Sequence, residues 1–375
     1  MERTLQRRLR SIVIHSPHSG RSEKLSQALT YLEEVGVEVT RNISIAELDN
    51  LPPQGEIWRE EGNDIAIAAG GDGLVGGVIT HIAESGLPLG ILPLGTANDI
   101  ARSLHLPQDV HQAANVIAQG KTVEVDIGVA RPAEQAPHPA SRSQKEPVVA
   151  HVRLQKHGFF AHALTIGLNV QFARIATNIA TRQRYGRLTY PFAALEVLRN
   201  HHAVDVELEF EGLAVPEDKQ ARQEQAVLRL ATVEEQAPLR SRALQVAVIN
   251  APIFGGKWQL SVPGANLSDH LLDIIVLEEF DFGHLSSRLA RFFGRKENGK
   301  EAASASIQVN EQEDYFTHHH AELTGIPGIH HLQARGVIIT TNIDPRDVTL
   351  DGEVRGQTPM YAHMADERLR VIVPG

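Results

Sequence analysis

The chain has 375 residues, enough for two domains, and 42% of them are hydrophobic, as in globular proteins with a buried core. Its 46 acidic and 36 basic residues give a net charge of −10, which argues against binding to nucleic acid because phosphate neutralisation needs a basic surface. The absence of cysteine excludes disulfides, cysteine-ligated metal centres and thiol nucleophiles, and is compatible with a reducing cytoplasm.

No segment of the sequence resembles a membrane anchor or a signal peptide. Apolar runs stay well short of the roughly 20 residues that a membrane helix needs, and no signal-peptide core follows the basic residues 1–10. The sequence therefore predicts a cytoplasmic protein whose contact with a membrane is peripheral.

Strands and helices alternate along the first third of the chain. Apolar runs predict strands at residues 12–14, 65–69 and 89–92, and helices are predicted over residues 25–35, after Gly73 and after Gly95. Strands separated by helices need crossover connections and hence form a parallel sheet. We expect an α/β domain with a Rossmann-like parallel sheet over residues 1–126.

From residue 123 onward, strands follow one another with few helices between them. The strands are predicted at residues 123–129, 152–154, 204–210, 227–231, 244–249, 272–277 and 337–341. This pattern predicts a mostly antiparallel β-sandwich domain over residues 127–375. A return of the last strand to the first domain is left open.

Gly70-Gly71-Asp72-Gly73 lies between a predicted strand and a predicted helix. Glycines there let the backbone approach a ligand, and amides at a helix N-terminus favour phosphate. Gly71, Gly73 and Gly76 also satisfy the GxGxxG pattern of dinucleotide-binding folds, but the acid expected after the next strand is missing. An acid among phosphate-binding glycines suits a site in which a cation such as Mg²⁺ intervenes. A tight turn that binds no ligand is the alternative.

Two further acidic motifs stand in the sequence as Gly95-Thr96-Ala97-Asn98-Asp99 and Asp351-Gly352-Glu353. Their simplest interpretations are local: the first motif starts a helix, and Asp351-Gly352 forms a hairpin turn. If the second motif is extended instead, its two carboxylates project from one face of a strand. One carboxylate could then orient a hydroxyl while the other helps to hold a metal ion.

These motifs, in this order, resemble those of the diacylglycerol kinase and sphingosine kinase type of lipid kinases, especially the bacterial soluble members. Ser16-Pro17-His18-Ser19-Gly20 is similar to the family's N-terminal nucleotide loop. The resemblance covers nearly the whole chain through GGDG at 70–73, PLGTANDIAR at 93–102, VDIG at 125–128, GGKWQLSVPGANLSDHLLDIIVL at 255–277, DGEVRGQTP at 351–359 and LRVIVP at 369–374.

The resemblance implies a fold of the diacylglycerol kinase and NAD kinase type, with ATP and Mg²⁺ between the two domains and transfer of the γ-phosphoryl group to a lipid hydroxyl. The acceptor would be a diacylglycerol or a sphingoid-type alcohol. Asp351 would be the general base, Glu353 its partner in the metal network, and Asp72 part of the nucleotide–Mg²⁺ network. Asp99 would face the acceptor, and Asp269 would bind a structural metal ion. The residues expected to contact the nucleotide are Ser19, Gly20, Gly70, Gly71, Gly73, Thr96 and Asn98.

The chain also departs from the family pattern. Leu74-Val75-Gly76-Gly77 follows GGDG where Thr-Leu-Asn-Glu is usual, and two histidines, His162 and His270, replace a common Asn and a usual Gly. The missing Asn-Glu pair keeps open a non-catalytic member that binds nucleotide or lipid. An NAD kinase-like soluble enzyme shares GGDG and is the nearest enzymatic alternative, although the two other acidic motifs count against it.

The expected partners are a lipid alcohol and a membrane surface. Phe282, Leu285, Leu289 and Phe292 fall on one face of a predicted basic helix within residues 282–296. Such a helix either contacts anionic lipid or packs on its own domain. A homodimer is a further open alternative.

Overall fold

The computed structural model describes residues 8–16, 22–48, 51–133, 158–168, 203–216, 228–232, 235–254, 260–262, 264–279, 328–342 and 344–375. The predicted strand at 152–154, the segment 282–296 and the predicted nucleotide contacts Ser19 and Gly20 lie outside these ranges. Within the ranges, no helix is both long enough and apolar enough to cross a bilayer.

The first half of the fold is a mainly parallel sheet, which we call sheet A, as predicted. Its strands are β1 (Leu9–His15), β2 (Val37–Ser44), β3 (Ile65–Gly70), β4 (Leu89–Pro93), β5 (Thr122–Val125) and β19 (Leu369–Ile372). They pair in the order β2-β1-β3-β4-β19-β5, and only the β19–β5 pair is antiparallel. Every residue of β3 and β4 is buried, as expected for central strands of an α/β sheet.

Helices connect these strands and share their core. They are α1 (Ser22–Glu34), α2 (Ile45–Leu48), α3 (Gly55–Glu60), α4 (Asp72–Ile82), α5 (Asp99–Ser103) and α6 (Val110–Gln119). Helix α4 buries Val75, Val78, Ile79 and Ile82 in the core of sheet A. Its Gly73, Gly76, Gly77 and Thr80, which recur at helical spacing, instead line a cavity shared with the second half of the fold. We call these four residues the glycine face of α4.

The second half is antiparallel throughout the part of the chain that the structure describes, and its main sheet, sheet B, has eleven strands there. The strands are β6 (Gly128–Pro132), β7 (Gly158–Phe160), β8 (Ala163–Gly167), β9 (Val204–Pro216), β10 (Leu228–Leu230), β11 (Leu239–Ile249), β14 (Leu272–Glu278), β15 (Ile329–Thr341), β16 (Asp347–Leu350), β17 (Glu353–Gln357) and β18 (Met360–Met364). A separate pair consists of β12 (Ile253–Phe254) and β13 (Leu260–Ser261).

Sheet B folds over on itself. The pairing runs β17-β16-β8-β11-β14-β15-β18-β6-β7, so that β7 and β16 lie near opposite ends. A Cβ atom added to Gly158 in β7 would nevertheless lie 2.2 Å from Cδ1 of Leu350 in β16, and both ends of the path contribute to one core. The predicted two-domain fold class, α/β followed by an antiparallel β-sandwich, is confirmed.

The chain crosses between the two sheets at Asp126. The continuous strand predicted over residues 123–129 is wrong, because it breaks there into β5 and β6. The buried Asp126 carboxylate accepts hydrogen bonds from the backbone N–H of His270 at 2.6 Å and from Nε of Arg368 at 2.8 Å. The chain crosses back beside this point, where Ala365 donates its N–H to the carbonyl of Ile127 at 2.9 Å. Within the part of the chain that the structure describes, two adjacent connections therefore join the two halves.

Candidate active site

The turn before α4 touches the turn before α5. A Cβ atom added to Gly95 would lie only 2.4 Å from Cα of Gly71, and one added to Gly71 would lie 3.2 Å from Cα of Gly95. Real Cβ atoms do not come within 3.0 Å of other heavy atoms without displacing them. The close approach of the two motifs thus requires the glycine at position 95.

Asp72 connects the same two turns through its side chain. Its Oδ1 accepts a hydrogen bond from the backbone N–H of Ile100 at 2.9 Å, in the first turn of α5, where free N–H groups need an acceptor. The residue is half-buried and lines a cavity, described below, at the start of α4. One carboxylate oxygen thus has a structural role in joining the motifs.

The other predicted residues of this region differ in their exposure. Asn98 is buried with φ of 54°, and its Nδ2 donates to the carbonyl oxygens of Pro93 and Gly95 at 3.2 and 3.3 Å. The Asn98 side chain therefore stabilises the turn before α5 through hydrogen bonds to its backbone. Thr96 is exposed, whereas Asp99 is 5% exposed at the start of α5. Their contacts with nucleotide and acceptor stay predictions.

Asp351 and Gly352 form the two-residue turn of the β16–β17 hairpin. Their φ angles are 48° and 87°, both in the left-handed region, and Leu350 pairs with Glu353 across the turn. This is the geometry that Asp-Gly favours in hairpins. The extended interpretation of the motif is wrong because the chain reverses here, and the local hairpin interpretation is confirmed.

The Asp351 carboxylate is held by backbone amides from the turn between β7 and β8. Its Oδ1 accepts from the N–H groups of His162 and Ala163 at 2.9 and 3.0 Å, and its Oδ2 accepts from Ala161 at 3.0 Å. Oδ2 also lies 2.5 Å from the position that a Cβ of residue 76 would occupy, so Gly76 makes room for the carboxylate. Burial raises the pKa of the Asp351 carboxyl above its usual value, while nearby His162 and the amide donors oppose that rise.

The side chain of Glu353, from β17, approaches α4 at Gly73, one helical turn before the position at which Asp351 approaches Gly76. Its Oε1 is 3.2 Å from the position of a Cβ on Gly73, and its Oε2 accepts from Nη2 of Arg355 at 2.5 Å. About half of its side chain is exposed. The two carboxylates of the C-terminal motif therefore reach successive turns of α4, although they come from a hairpin.

Two cavities meet at Glu353, and Asp351 lines one of them. The larger, cavity 1, has a volume of about 780 Å³ and is lined chiefly by the two glycine-rich turns and by Glu353. Cavity 2, of about 360 Å³, follows the glycine face of α4 and is lined on its other side by Phe159, Leu350 and Asp351. Gly73, Gly77 and Glu353 belong to both walls. The two cavities are therefore neighbours, separated by no more than these shared residues.

Asp269, the predicted ligand of a structural metal ion, lies in a loop away from these cavities. Its Oδ1 accepts from the N–H of Leu271 at 3.0 Å. Partial desolvation, with smaller contributions from the charges of Asp273 and Asp126, raises the pKa of Asp269 to about 6. Burial thus disfavours the charge on the Asp269 carboxylate, and a cation bound beside it would relieve this cost.

Family models match both halves of the chain. Residues 10–130 match the diacylglycerol kinase catalytic domain, and residues 163–315 match the YegS C-terminal NAD kinase beta sandwich-like domain. The chain therefore carries a diacylglycerol kinase catalytic domain followed by a YegS-type, NAD kinase-like β-sandwich domain.

Individual relatives agree with these matches. Proteins named diacylglycerol kinase from Staphylococcus aureus strains MRSA252 and Newman are each 38% identical over 126 residues. That stretch is 32% of this chain and spans only 40% of the length of those relatives. A solved diacylglycerol kinase structure from Bacillus anthracis superimposes over 97% of both chains with a TM-score of 0.55 at 18% identity. A second structure from that organism covers 98% of both chains, with a TM-score of 0.62 at 19% identity. These two structures support the fold.

The structure accounts for two departures from the lipid kinase pattern and shows the backbone conformation of a third. Gly76, in place of the usual Asn, leaves the space that the Asp351 carboxylate fills. At position 162, the contact with Asp351 comes from the backbone N–H, which histidine supplies as well as asparagine. His270 replaces a usual glycine and keeps a left-handed φ of 60°.

Two structurally important residues were missed by the sequence analysis. Asp126 lies inside the VDIG motif, yet only its neighbours' contacts show that it ties the two halves together. Asn250 is 1% exposed and contacts the turn that holds Asp351. Its signal in the sequence is a lone polar residue at the end of a predicted buried strand, at 244–249, and this pattern alone is too common to assign a role.

Proposed function

We propose that this protein is an ATP- and Mg²⁺-dependent lipid kinase that transfers the γ-phosphoryl group to the hydroxyl of a diacylglycerol or sphingoid-type lipid. The observation that carries the proposal is the convergence of Asp351 and Glu353 on the glycine face of α4, where cavities 1 and 2 meet. The match of residues 10–130 to the diacylglycerol kinase catalytic domain supports the same class of reaction.

Cavity 1 suits the phosphates of a nucleoside triphosphate. Gly71, Gly73 and Gly95 place backbone without side chains in its wall, and the N-terminus of the eleven-residue helix α4 favours negative charge. Within the described ranges, no group of three or more acids or histidines could hold a metal ion on its own. Mg²⁺ commonly takes one or two carboxylates and completes its shell with phosphates and water, so Asp72 and Glu353 fit it. When bound, Mg²⁺ neutralises charge that develops on the transferred phosphoryl group.

Asp351 would accept the proton of the lipid hydroxyl. Three amide donors fix its carboxylate, and Oδ2, with a single amide bond, retains the capacity to accept another hydrogen bond. A raised pKa makes this carboxylate a better proton acceptor than an ordinary aspartate. An alcohol is still a far weaker acid, so the proton moves late, as a loose transition state allows.

Cavity 2 would receive the head of the acceptor lipid. Part of its wall beside Asp351 is apolar and consists of Phe159, Leu350 and Val354. Phe159 also lines a third cavity, which has a volume of about 150 Å³. Exposed apolar side chains, among them Val354 at 45% and Ile57 at 46%, are candidates for the peripheral contact with a membrane that such a substrate requires.

We also propose that Asp269 binds a structural cation, together with backbone carbonyls and water. The support is its raised pKa beside two further carboxylates. The pKa of Asp269 is about 6 in the folded protein against an ordinary value of 3.8, so folding takes up protons between these pH values. Ionisation of Asp269 therefore lowers the free energy of unfolding as the pH rises from about 4 to 6.

The Asp269→Asn variant should lose that pH dependence. In EDTA, its melting temperature relative to wild type is expected to increase as pH rises from 4.5 to 7, because the unfavourable charge is gone and the oxygen that accepts from Leu271 is kept. Millimolar Mg²⁺ or Ca²⁺ should raise the melting temperature of wild type more than that of the variant. Equal pH profiles, or equal stabilisation by the cations, would contradict the assignment.

The decisive assay incubates the protein with γ-labelled ATP, with and without Mg²⁺, and with separate pools of diacylglycerol, sphingoid base and NAD. We expect a labelled product in the organic phase that depends on Mg²⁺. Label on NAD alone would favour the NAD kinase-like alternative. Binding of ATP without any labelled product would favour a non-catalytic member of the family.

A further inference from the structure

Residues 161–163, the 161–163 turn, have every backbone polar group in use. Their three N–H groups donate to the Asp351 carboxylate, and the carbonyl of Ala163 accepts from the N–H of Asp351 at 2.9 Å. The two remaining carbonyls face the other way, toward Asn250. The side-chain Nδ2 of Asn250 donates to the carbonyl of Ala161 at 3.0 Å, and its backbone N–H donates to the carbonyl of His162 at 2.8 Å. Asp351 thus holds the turn from one side and Asn250 from the other.

Asn250 also reaches the crossing between the two sheets. Its Nδ2 donates to the carbonyl of Asp126 at 2.7 Å, and Asp126 itself is fixed through its carboxylate by Arg368 and by the backbone of His270. Since Asn250 is 1% exposed, water cannot replace these contacts without a rearrangement of the core. One side-chain amide therefore connects the crossing to the turn that anchors Asp351.

We propose that Asn250 is a positioning residue for phosphoryl transfer: through the carbonyl of Ala161, it fixes the amides that hold the Asp351 carboxylate beside Gly76. Preorganised dipoles act best when they need no rearrangement during the reaction, and small displacements of a reacting group are costly. The kinetic part of this inference rests on the proposed kinase function, whereas the anchoring of the turn does not.

Replacement of Asn250 by Ala would leave the carbonyls of Ala161 and Asp126 without their donor. The 161–163 turn then loosens, and its amides stabilise the Asp351 carboxylate less well. We expect kcat to fall about 10- to 100-fold with little change in the KM for ATP, as for a misplaced catalytic group. The acid limb of the kcat profile should move to higher pH, because weaker hydrogen bonds to the ionised form raise the pKa of Asp351.

Thr349→Val is the matched control. Thr349 is also 1% exposed, lies two residues from Asp351, and shares a hydrogen bond of 2.6 Å with Thr165 that does not involve the 161–163 turn. This variant should lower the melting temperature and leave the pH profile in place. His162 and the Glu353–Arg355 pair are the other titratable groups described beside Asp351, and no variant in this comparison changes them.

Hydrogen exchange of the amides at 161–163, followed on full-length protein without substrate, tests the anchoring directly. We expect exchange at least tenfold faster in Asn250→Ala and in Asp351→Asn, and wild-type exchange in Thr349→Val. If Asn250→Ala is insoluble, Asn250→Ser, which keeps one donor, is measured instead. Unchanged exchange would overturn the inference whatever the activity, and so would a matching pH shift in Thr349→Val. Faster exchange in Asn250→Ala, together with no phosphotransfer by the wild-type protein, would overturn the proposed function alone.

Discussion

Asp351→Asn is expected to lower kcat by about 10³-fold, the contribution typical of a positioned general base. The hairpin should survive, because Asn-Gly is at least as favourable as Asp-Gly in a turn with two left-handed residues. The KM for ATP should change little, since cavity 1 is not lined by residue 351. The amide nitrogen cannot accept from a backbone N–H, so we also expect a loss of about 1–3 kcal/mol in the free energy of unfolding.

Asp347→Asn provides the matched control for charge. It removes one carboxylate from the same hairpin, where Asp347 accepts from Nε2 of Gln357 at 3.0 Å on the exposed side. Its kcat is expected to stay within about threefold of wild type, the range of ordinary surface substitutions. If Asp351→Asn retained wild-type kcat, or if its defect lay in the KM for ATP, Asp351 would not be the proton acceptor.

Gly76→Ala is expected to lower kcat by about 10²-fold, because the added methyl group would lie 2.5 Å from Oδ2 of Asp351. Either the carboxylate leaves its three amides or α4 moves away from the hairpin. The same substitution adds up to about 1 kcal/mol of helix propensity in the middle of α4. A loss of activity with little loss of melting temperature would therefore show that the space, and not helix stability, is what the reaction needs.

Gly77→Ala separates these two effects. It makes the same chemical change one residue later in α4, but the new methyl group would lie 3.2 Å from Cδ1 of Ile45, the flexible end of a side chain. Because Gly77 also lines both cavities, kcat is measured at saturating ATP and lipid, where we expect a similar gain in helix propensity and a much smaller loss of kcat than in Gly76→Ala. Equal losses in the two variants, measured as kcat in the lipid kinase assay, would contradict the steric role of Gly76.

The central strands of sheet A could be predicted because their residues are almost all apolar. β1, β3 and β4 are flanked by other strands, and such strands show as continuous apolar runs in a sequence. β2 was missed because it lies at the edge of the sheet and mixes Val37 and Ile43 with exposed Arg41 and Asn42. Edge strands carry too little apolar signal to be distinguished from loops.

Sequence motifs predicted which residues belong to the candidate site, but they did not predict how these residues are arranged in space. Glycine-rich turns indicated where a phosphate could bind, but the 2.4 Å approach at Gly95 depends on two turns that are 24 residues apart in the chain. The hairpin geometry of Asp351 and Gly352 was an available interpretation. This hairpin brings the Asp351 carboxylate to Gly76 only because sheet B folds over on itself, and no local sequence pattern encodes that folding.

β19 lies in the interior of sheet A, and among the strands that the structure describes, β5 pairs with β19 alone. The first sheet is therefore incomplete until residues 369–372 have left the ribosome, and β5 must wait through the synthesis of the entire second half. The first half therefore cannot complete its sheet before the second half has been synthesised. Premature termination anywhere in the second half should yield chains with an open sheet edge, which chaperones or proteases would recognise.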